Sequence, residues 1–309
     1  MKSGAQAAVA SPAAASAGGI ARPTSRSADF LTLTKPRLNF LVLLTTLGGM
    51  YLAAPDGVSS STLVHTLVGT FLVAGGAAAL NQVWERESDS LMRRTRARPI
   101  PIGRLSATEG AWFGVVLSSA GLIELAWQVN TISAVVAAIT LGSYVVIYTP
   151  LKRRTSLAML VGAVPGALPP VIGWAAASGS ITFEAWILFG IVFFWQMPHF
   201  LAIAWMYRDD YANARMPMLP ALEPDGRRTG QQALVYAAAL WPVSLMPALA
   251  GLASAPYTVV ASLLGLALIA LAARFLRERS TVNARQLFLY SIVYLPLLWG
   301  ALVFDRLRL

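Results

Sequence analysis

Apolar residues along this chain gather into nine long, nearly uncharged runs, roughly 38–54, 63–80, 108–127, 132–148, 157–176, 183–206, 233–252, 258–273 and 287–304. Each is near the ~20 residues a helix needs to cross about 30 Å of hydrocarbon. The pattern predicts an all-α, polytopic membrane protein of about nine transmembrane helices. Buried helices in a soluble protein are excluded by the remaining sequence. Only 12% of residues are charged and 56% are hydrophobic, against about 25% charged in a soluble domain, and mean hydropathy is +0.61. Too little polar sequence is left to coat so much apolar surface.

The polar links carry the next layer of information. The formal net charge is +10, a value that in a soluble chain would suggest nucleic acid. Its distribution points elsewhere. With the N-terminus in the cytoplasm, all but Arg306 and Arg308 of the 24 lysines and arginines fall on the cytoplasmic side. That is the positive-inside bias of membrane proteins, and it puts the C-terminus outside. The expected partner of this charge is the lipid bilayer with its anionic headgroups, and no nucleic acid. There are no cysteines, so disulfides, zinc–thiolate sites, cysteine-held iron–sulfur clusters and covalent c-type haem are excluded. Residues 1–30, rich in Ala, Ser and Gly, are expected to form a disordered cytoplasmic tail ahead of one transmembrane domain at 31–309. The tail lacks the apolar core of a secretory signal, and its Arg/Ser bias leaves a mitochondrial transit peptide as the alternative to a bacterial plasma membrane.

The two longest links, 81–107 and 207–232, lie on the same expected side and continue from the second and sixth runs. In the first, Asn81, Glu85 and Asp89 stand at i, i+4 and i+8. On a helix they drift only ~80° around one face while rising about 12 Å. Three oxygen-bearing groups on one stripe suit a hard cation such as Mg2+, which takes one or two carboxylates plus substrate phosphates. The alternative is a solvated helix end with ordinary ion pairs such as Asp89–Arg93. Arg94 and Arg98 follow at once, and guanidinium forks bind phosphate oxygens bidentately. Arg86, Arg93 and Arg96 read better as anchors at the membrane face. Asp209 and Asp210 close the sixth run and are candidates to face the first stripe, with Asp210 as a further metal ligand. Lys152, after the fourth run, is a candidate counter-ion. His199 lies inside the sixth run beside Trp195, Gln196 and Phe200. An ionisable residue within a span could ligate haem iron, orient an acceptor or move a proton; a neutral histidine bonded across helices is the alternative. Pro165, Pro169 and Pro170 interrupt the fifth run among Gly162, Gly166 and Gly173. They suggest either a bend around a substrate chamber or close helix packing.

At these residues the chain resembles the UbiA superfamily of intramembrane prenyltransferases, within it the branch that farnesylates haem. Asn81, Glu85, Asp89, Met92, Arg94, Thr95, Arg98 and Pro99 match the family pattern N-x-x-x-[DE]-x-x-x-D-x-x-M-x-R-T-x-x-R-P. Thr34-Lys35-Pro36-Arg37, Tyr148-Thr149-Pro150-Leu151-Lys152-Arg153, Pro198-His199-Phe200, and Asp210-Tyr211 with Pro217-Met218-Leu219-Pro220 are similar to further segments of that branch. Two departures stand out. Gln82 and Glu85 occupy places where many members carry Asp, and no clean D-x-x-x-D follows Asp209 or Asp210. The resemblance implies a UbiA-like helical bundle with a cytoplasmic-facing active site and Mg2+ on Asn81, Glu85, Asp89 and the Asp209/Asp210 corner. It implies that Arg94, Arg98 and Lys152 neutralise the diphosphate and that His199 contacts haem. The implied reaction moves a farnesyl group from farnesyl diphosphate to the 2-vinyl group of haem B, giving haem O. A haem A synthase or an oxidase-assembly factor is then an expected partner. Two other readings remain open: a UbiA-type enzyme acting on a quinone precursor or a chlorophyllide, and a transporter or assembly factor without catalysis.

Overall fold

A computed structural model describes residues 25–306, apart from 55 and 224, together with residue 308. Helices account for nearly all of it, and there is no strand among the described residues. The first 24 residues of the expected tail lie outside the described residues. Its last residues are helical: α1 (Arg26–Leu33) starts at the Ser25 cap, whose hydroxyl accepts from the Ala28 N–H at 3.3 Å. The stretch holds because Asp29, 3% exposed, pairs with Arg104 at 2.9 Å and Leu33 is fully buried. Asp29 and Leu33 thus fasten the segment expected as tail to the domain.

The bundle proper runs α2 (Pro36–Ala53), α3 (Ser60–Leu91), α4 (Ala107–Gln128) and α5 (Thr131–Gly142). A π-helical turn (Ser143–Tyr148) leads from α5 into the single turn α6 (Thr149–Leu151). Then come α7 (Ala158–Ala167), α8 (Pro169–Ser178), α9 (Phe183–Met206), the short α10 (Arg208–Asn213) and α11 (Leu219–Leu222), and finally α12 (Arg227–Leu249), α13 (Ala255–Arg277) and α14 (Thr281–Arg306). Among the described residues, eight segments are long and apolar enough to cross a membrane: α3, α4, residues 131–151, residues 158–178, α9, α12, α13 and α14. The first expected run, α2, packs along α8 as a full member of the bundle. Its opening turn holds Pro36, Arg37 and Asn39, which dilute its hydropathy. The chain is a multi-pass membrane protein.

Two helix starts are closed by side chains that take up backbone N–H groups the helix leaves unpaired. Ser106 and Glu109 form a reciprocal capping box at the start of α4, and the Asn130 side chain accepts from the Ser133 N–H at 2.8 Å at the start of α5. The outward faces are apolar, as at Leu38, Phe40, Trp112 and Phe304, while buried positions hold many small or hydroxylic residues. Membrane helices associate through such small residues because lipid offers no hydrophobic drive between them. The closest approach is between α2 and α8. A methyl group at Gly173 would overlap the Thr46 carbonyl, and one at Gly49 would overlap the Pro170 carbonyl.

These backbone contacts cannot yield as a flexible side chain would. Gly173→Ala should therefore lower stability despite a gain of about 1 kcal/mol in helix propensity, since overpacking costs typically 1–3 kcal/mol and backbone overlap lies at the upper end. Thermal unfolding of purified protein in detergent reads this as a lower midpoint; an unchanged or higher midpoint would show that α2 and α8 separate freely.

Candidate active site at one end of the bundle

At 32 residues α3 is about 48 Å long, well beyond the ~30 Å hydrocarbon thickness. Its last three turns extend past the apolar stretch and carry Asn81, Glu85 and Asp89, which are 1%, 5% and 0% exposed. The stripe is thus a buried surface and not a solvated helix end. Each member meets a group from elsewhere in the chain. Lys35 Nζ donates to Asn81 Oδ1 at 3.0 Å, and Asn81 Nδ2 donates to Thr149 Oγ1 at 3.2 Å. Lys152 Nζ donates to Glu85 Oε1 at 2.8 Å. Arg98 Nη1 donates to Asp89 Oδ2 at 2.6 Å. Asp89 pairs with Arg98 in place of the nearby Arg93, because the turn after α3 folds back: Thr95 Oγ1 donates to the Asp89 carbonyl at 2.9 Å.

Asp89 Oδ1 is buried with no hydrogen-bond partner among the described residues. Two carboxylates, Glu85 and Asp89, therefore face three cations, Lys35, Arg98 and Lys152, leaving one positive charge in excess. Burial, helped by the Arg98 guanidinium, lowers the Lys35 pKa to about 8. Burial also opposes the charge of Lys152, but the Glu85 carboxylate more than offsets it and holds that pKa well above the ordinary lysine value.

Lys35 and Thr149 carry no role in the reading of the sequence. Lys35 precedes Pro36 at the first turn of α2 and adopts a left-handed backbone conformation, φ 49°. A lysine directly ahead of a proline-started apolar helix is the signal that could have found it. Thr149 reaches Asn81 because the π-helical turn before it shifts the face that follows, with Thr149 Oγ1 donating to the Tyr144 carbonyl at 2.8 Å. Such turns are frequent at functional sites. Gln82, the position that departs from the family pattern, faces away from this cluster. Its Nε2 donates to the Leu33 carbonyl at 2.9 Å and holds α1 in place. Glu87 also points away, as the helical spacing predicts, pairing with Arg153 on the surface.

The second polar link folds onto the first. Met92 packs with Ala214, Met216 and Met218, and the Arg94 guanidinium lies 5.3 Å from the centre of the Tyr207 ring. Asp209 is exposed and Asp210 half-buried on α10. The structure does not gather them with Glu85 and Asp89: no three acidic or histidine side chains among the described residues form a metal-sized group. His199 likewise stands apart. Its Nδ1 bonds Ser291 Oγ on α14 at 2.8 Å, and its ring stacks on Trp195 and packs against Phe288. This is a cross-helix contact between α9 and α14. His65, the other histidine, pairs with Glu124 at 2.6 Å, between α3 and α4.

Beneath Lys35 an apolar cavity of about 170 Å³ enters the bundle. Its walls include Leu38 and Val42 of α2, Val73 and Ala77 of α3, and Tyr144 of the π-helical turn. Pro165, Gly166 and Pro169, where α7 gives way to α8, complete it. The proline-interrupted segment thus serves both readings of its sequence, lining a chamber at Pro165–Pro169 and packing against α2 at Gly173. A charged cluster at the mouth of an apolar chamber can hold an amphiphile by its anionic head.

Comparison with known proteins agrees with this arrangement. The profile described as the UbiA prenyltransferase family matches residues 42–295. The chain is similar to the protoheme IX farnesyltransferase of Solibacter usitatus (strain Ellin6076), 49% identical over 287 residues that cover 90% of this chain and 98% of the relative. Its fold is similar to that of a digeranylgeranylglyceryl phosphate synthase, with a TM-score of 0.79 at 14% identity over 92% of this chain and 99% of the other. It is similar too to a UbiA homolog from Archaeoglobus fulgidus bound to GPP and Mg2+, with a TM-score of 0.62 at 15% identity over 89% and 99% of the two chains. The helical bundle is thus a fold shared with these structures, and the chain belongs to the UbiA prenyltransferase family.

Proposed function

We propose that this chain transfers the farnesyl group of farnesyl diphosphate to the 2-vinyl group of haem B, giving haem O. The observation that carries the reading is the junction between the net-positive cluster of Lys35, Arg98, Lys152, Glu85 and Asp89 and the apolar chamber beneath it. A prenyl diphosphate has the same two-part character. Relatives 40–49% identical over most of the chain carry the name protoheme IX farnesyltransferase, which selects haem as the acceptor.

The residues fit a magnesium ion. Asn81, Glu85 and Asp89 offer oxygen ligands, Asp89 Oδ1 is buried without a partner among the described residues, and two carboxylates suffice when phosphates complete the shell. The fold is shared with a homolog bound to GPP and Mg2+. Bound there, the metal would take up charge developing on the departing diphosphate. The protein's own groups do the rest. Lys35, Lys152 and Arg98 hold the diphosphate oxygens, with Arg94 close by on the Tyr207 ring. Asp209 and Asp210 border the same end and are further candidates for the diphosphate and its metal. The chamber walls keep water from C1 of the prenyl chain, where the C–O bond breaks. The vinyl π-bond of haem forms the new C–C bond, water adds to the resulting cation, and a proton leaves. His199, with Nδ1 held by Ser291, keeps Nε2 for the acceptor. The carboxylate end lies in the cytoplasm, in keeping with the positive-inside distribution of charge, in a bacterial plasma membrane, and the product passes to a haem A synthase or oxidase-assembly partner.

Membranes containing the protein, incubated with haem B, farnesyl diphosphate and magnesium, should yield a haem heavier by one farnesyl unit plus water on mass spectrometry; unchanged haem would overturn the reading. Asp89→Asn keeps the side-chain shape but removes its charge, and Arg98→Gln removes the guanidinium. Each should lower turnover by about 10²-fold or more while the protein still elutes as a folded species; normal turnover in either would remove the stripe from the mechanism. His199→Gln should raise KM for haem and leave KM for farnesyl diphosphate unchanged, and the reverse pattern would place His199 with the diphosphate.

A further inference from the structure

The chamber beneath Lys35 has a definite inner end. On α3 its lining runs from Ala78 back to Thr70. Thr70 lies eleven residues before Asn81, roughly 16 Å along the helix at 1.5 Å per residue. On α2 the lining stops at Val42, since one turn further Thr46 and Gly49 meet the backbone of α8 at Gly173 and Pro170. On α8 the last lining residue is Ile172, beside that contact. Thr70 and Ile172 are each 2% exposed. The glycine contacts make this end rigid, because backbone on backbone leaves no side chain to move aside.

That depth matches one substrate length. The twelve main-chain carbons of an extended farnesyl group reach about 14 Å, taking roughly 1.25 Å of advance for each C–C bond of ~1.5 Å. We propose that Thr70 and Ile172 form the stop that sets the prenyl chain at fifteen carbons. They are specificity residues for the transfer, and the inference rests on the reading that the chamber holds the prenyl tail. Discrimination of one methylene in an apolar pocket is worth about 10–200-fold, so a closed end should exclude a further isoprene unit strongly.

The side chains suggest the test. Ile172→Ala removes three carbons and Thr70→Ala one carbon and one oxygen, five heavy atoms in all, equal in number to the five carbons by which a geranylgeranyl chain exceeds a farnesyl chain. Thr70 Oγ1 has no hydrogen-bond partner among the described residues, so alanine there breaks no polar contact seen in them. Purified full-length protein is given haem B with equal concentrations of geranyl, farnesyl and geranylgeranyl diphosphates, and the product haems are separated by mass. The wild type should make the farnesyl product. The Thr70→Ala/Ile172→Ala variant should raise the geranylgeranyl-to-farnesyl product ratio about tenfold or more. Thr70→Leu, which shortens the chamber, should shift products toward geranyl, and it carries the test alone if the double variant loses its fold. Variants that still prenylate haem with the wild-type product ratio would overturn the stop. No prenylated haem from the wild type would instead overturn the transfer reading on which it rests.

Discussion

Charges buried at the end of an apolar bundle must find partners, and here the partners come from distant parts of the chain. Lys35 precedes α2, Glu85 and Asp89 end α3, Arg98 sits in the turn beyond, and Lys152 follows α6. An isolated ion in such surroundings costs several kcal/mol, and breaking a buried pair by removing one member costs about 3–5 kcal/mol. The ion pairs, with the Lys35–Asn81 hydrogen bond, therefore fasten three helix ends together as well as equipping them for chemistry. The same groups that ready the site for an anion hold its walls in register. Function and local stability draw on one set of contacts.

The chamber depends on a second constraint, the irregular backbone between α7 and α8. Pro165 and Pro169 remove N–H donors, which would be costly against lipid and is tolerated where the segment is enclosed by protein or lines a cavity. Gln196 on α9 braces the segment from the protein side, its Nε2 donating to the Ala163 carbonyl at 3.2 Å. Beyond the break α8 resumes and closes on α2 through Gly173. Opening and closure thus come from one interrupted helix, within about two turns.

Much of this was legible in the sequence. Hydropathy runs located the bundle because a membrane helix must be apolar for its whole span. The i, i+4, i+8 stripe was legible because helical periodicity needs no tertiary information. Partner choice was not. Asp89 has Arg93, Arg94, Arg96 and Arg98 within nine residues, and only the folded turn held by Thr95 selects Arg98. Lys35 was hidden for a different reason: its partner Asn81 lies 46 residues away. His199 shows the limit most clearly. A histidine in a span is unusual enough to flag, but sequence could not show that Ser291 holds its Nδ1.

The π-helical turn at Ser143–Tyr148 carries a further consequence. A wide turn of this kind amounts to one residue more than a regular α-helix would place there, and each residue advances helical phase by about 100°. Everything downstream therefore keeps its angular setting only while that surplus is accommodated. Were a single residue deleted from the turn, the segment could relax to ordinary α-geometry at little local cost. Thr149 and Lys152 would then rotate by about a quarter-turn away from Asn81 and Glu85. The alignment of the fourth span with the second is in this sense a matter of residue count, indifferent to which apolar side chains fill the turn.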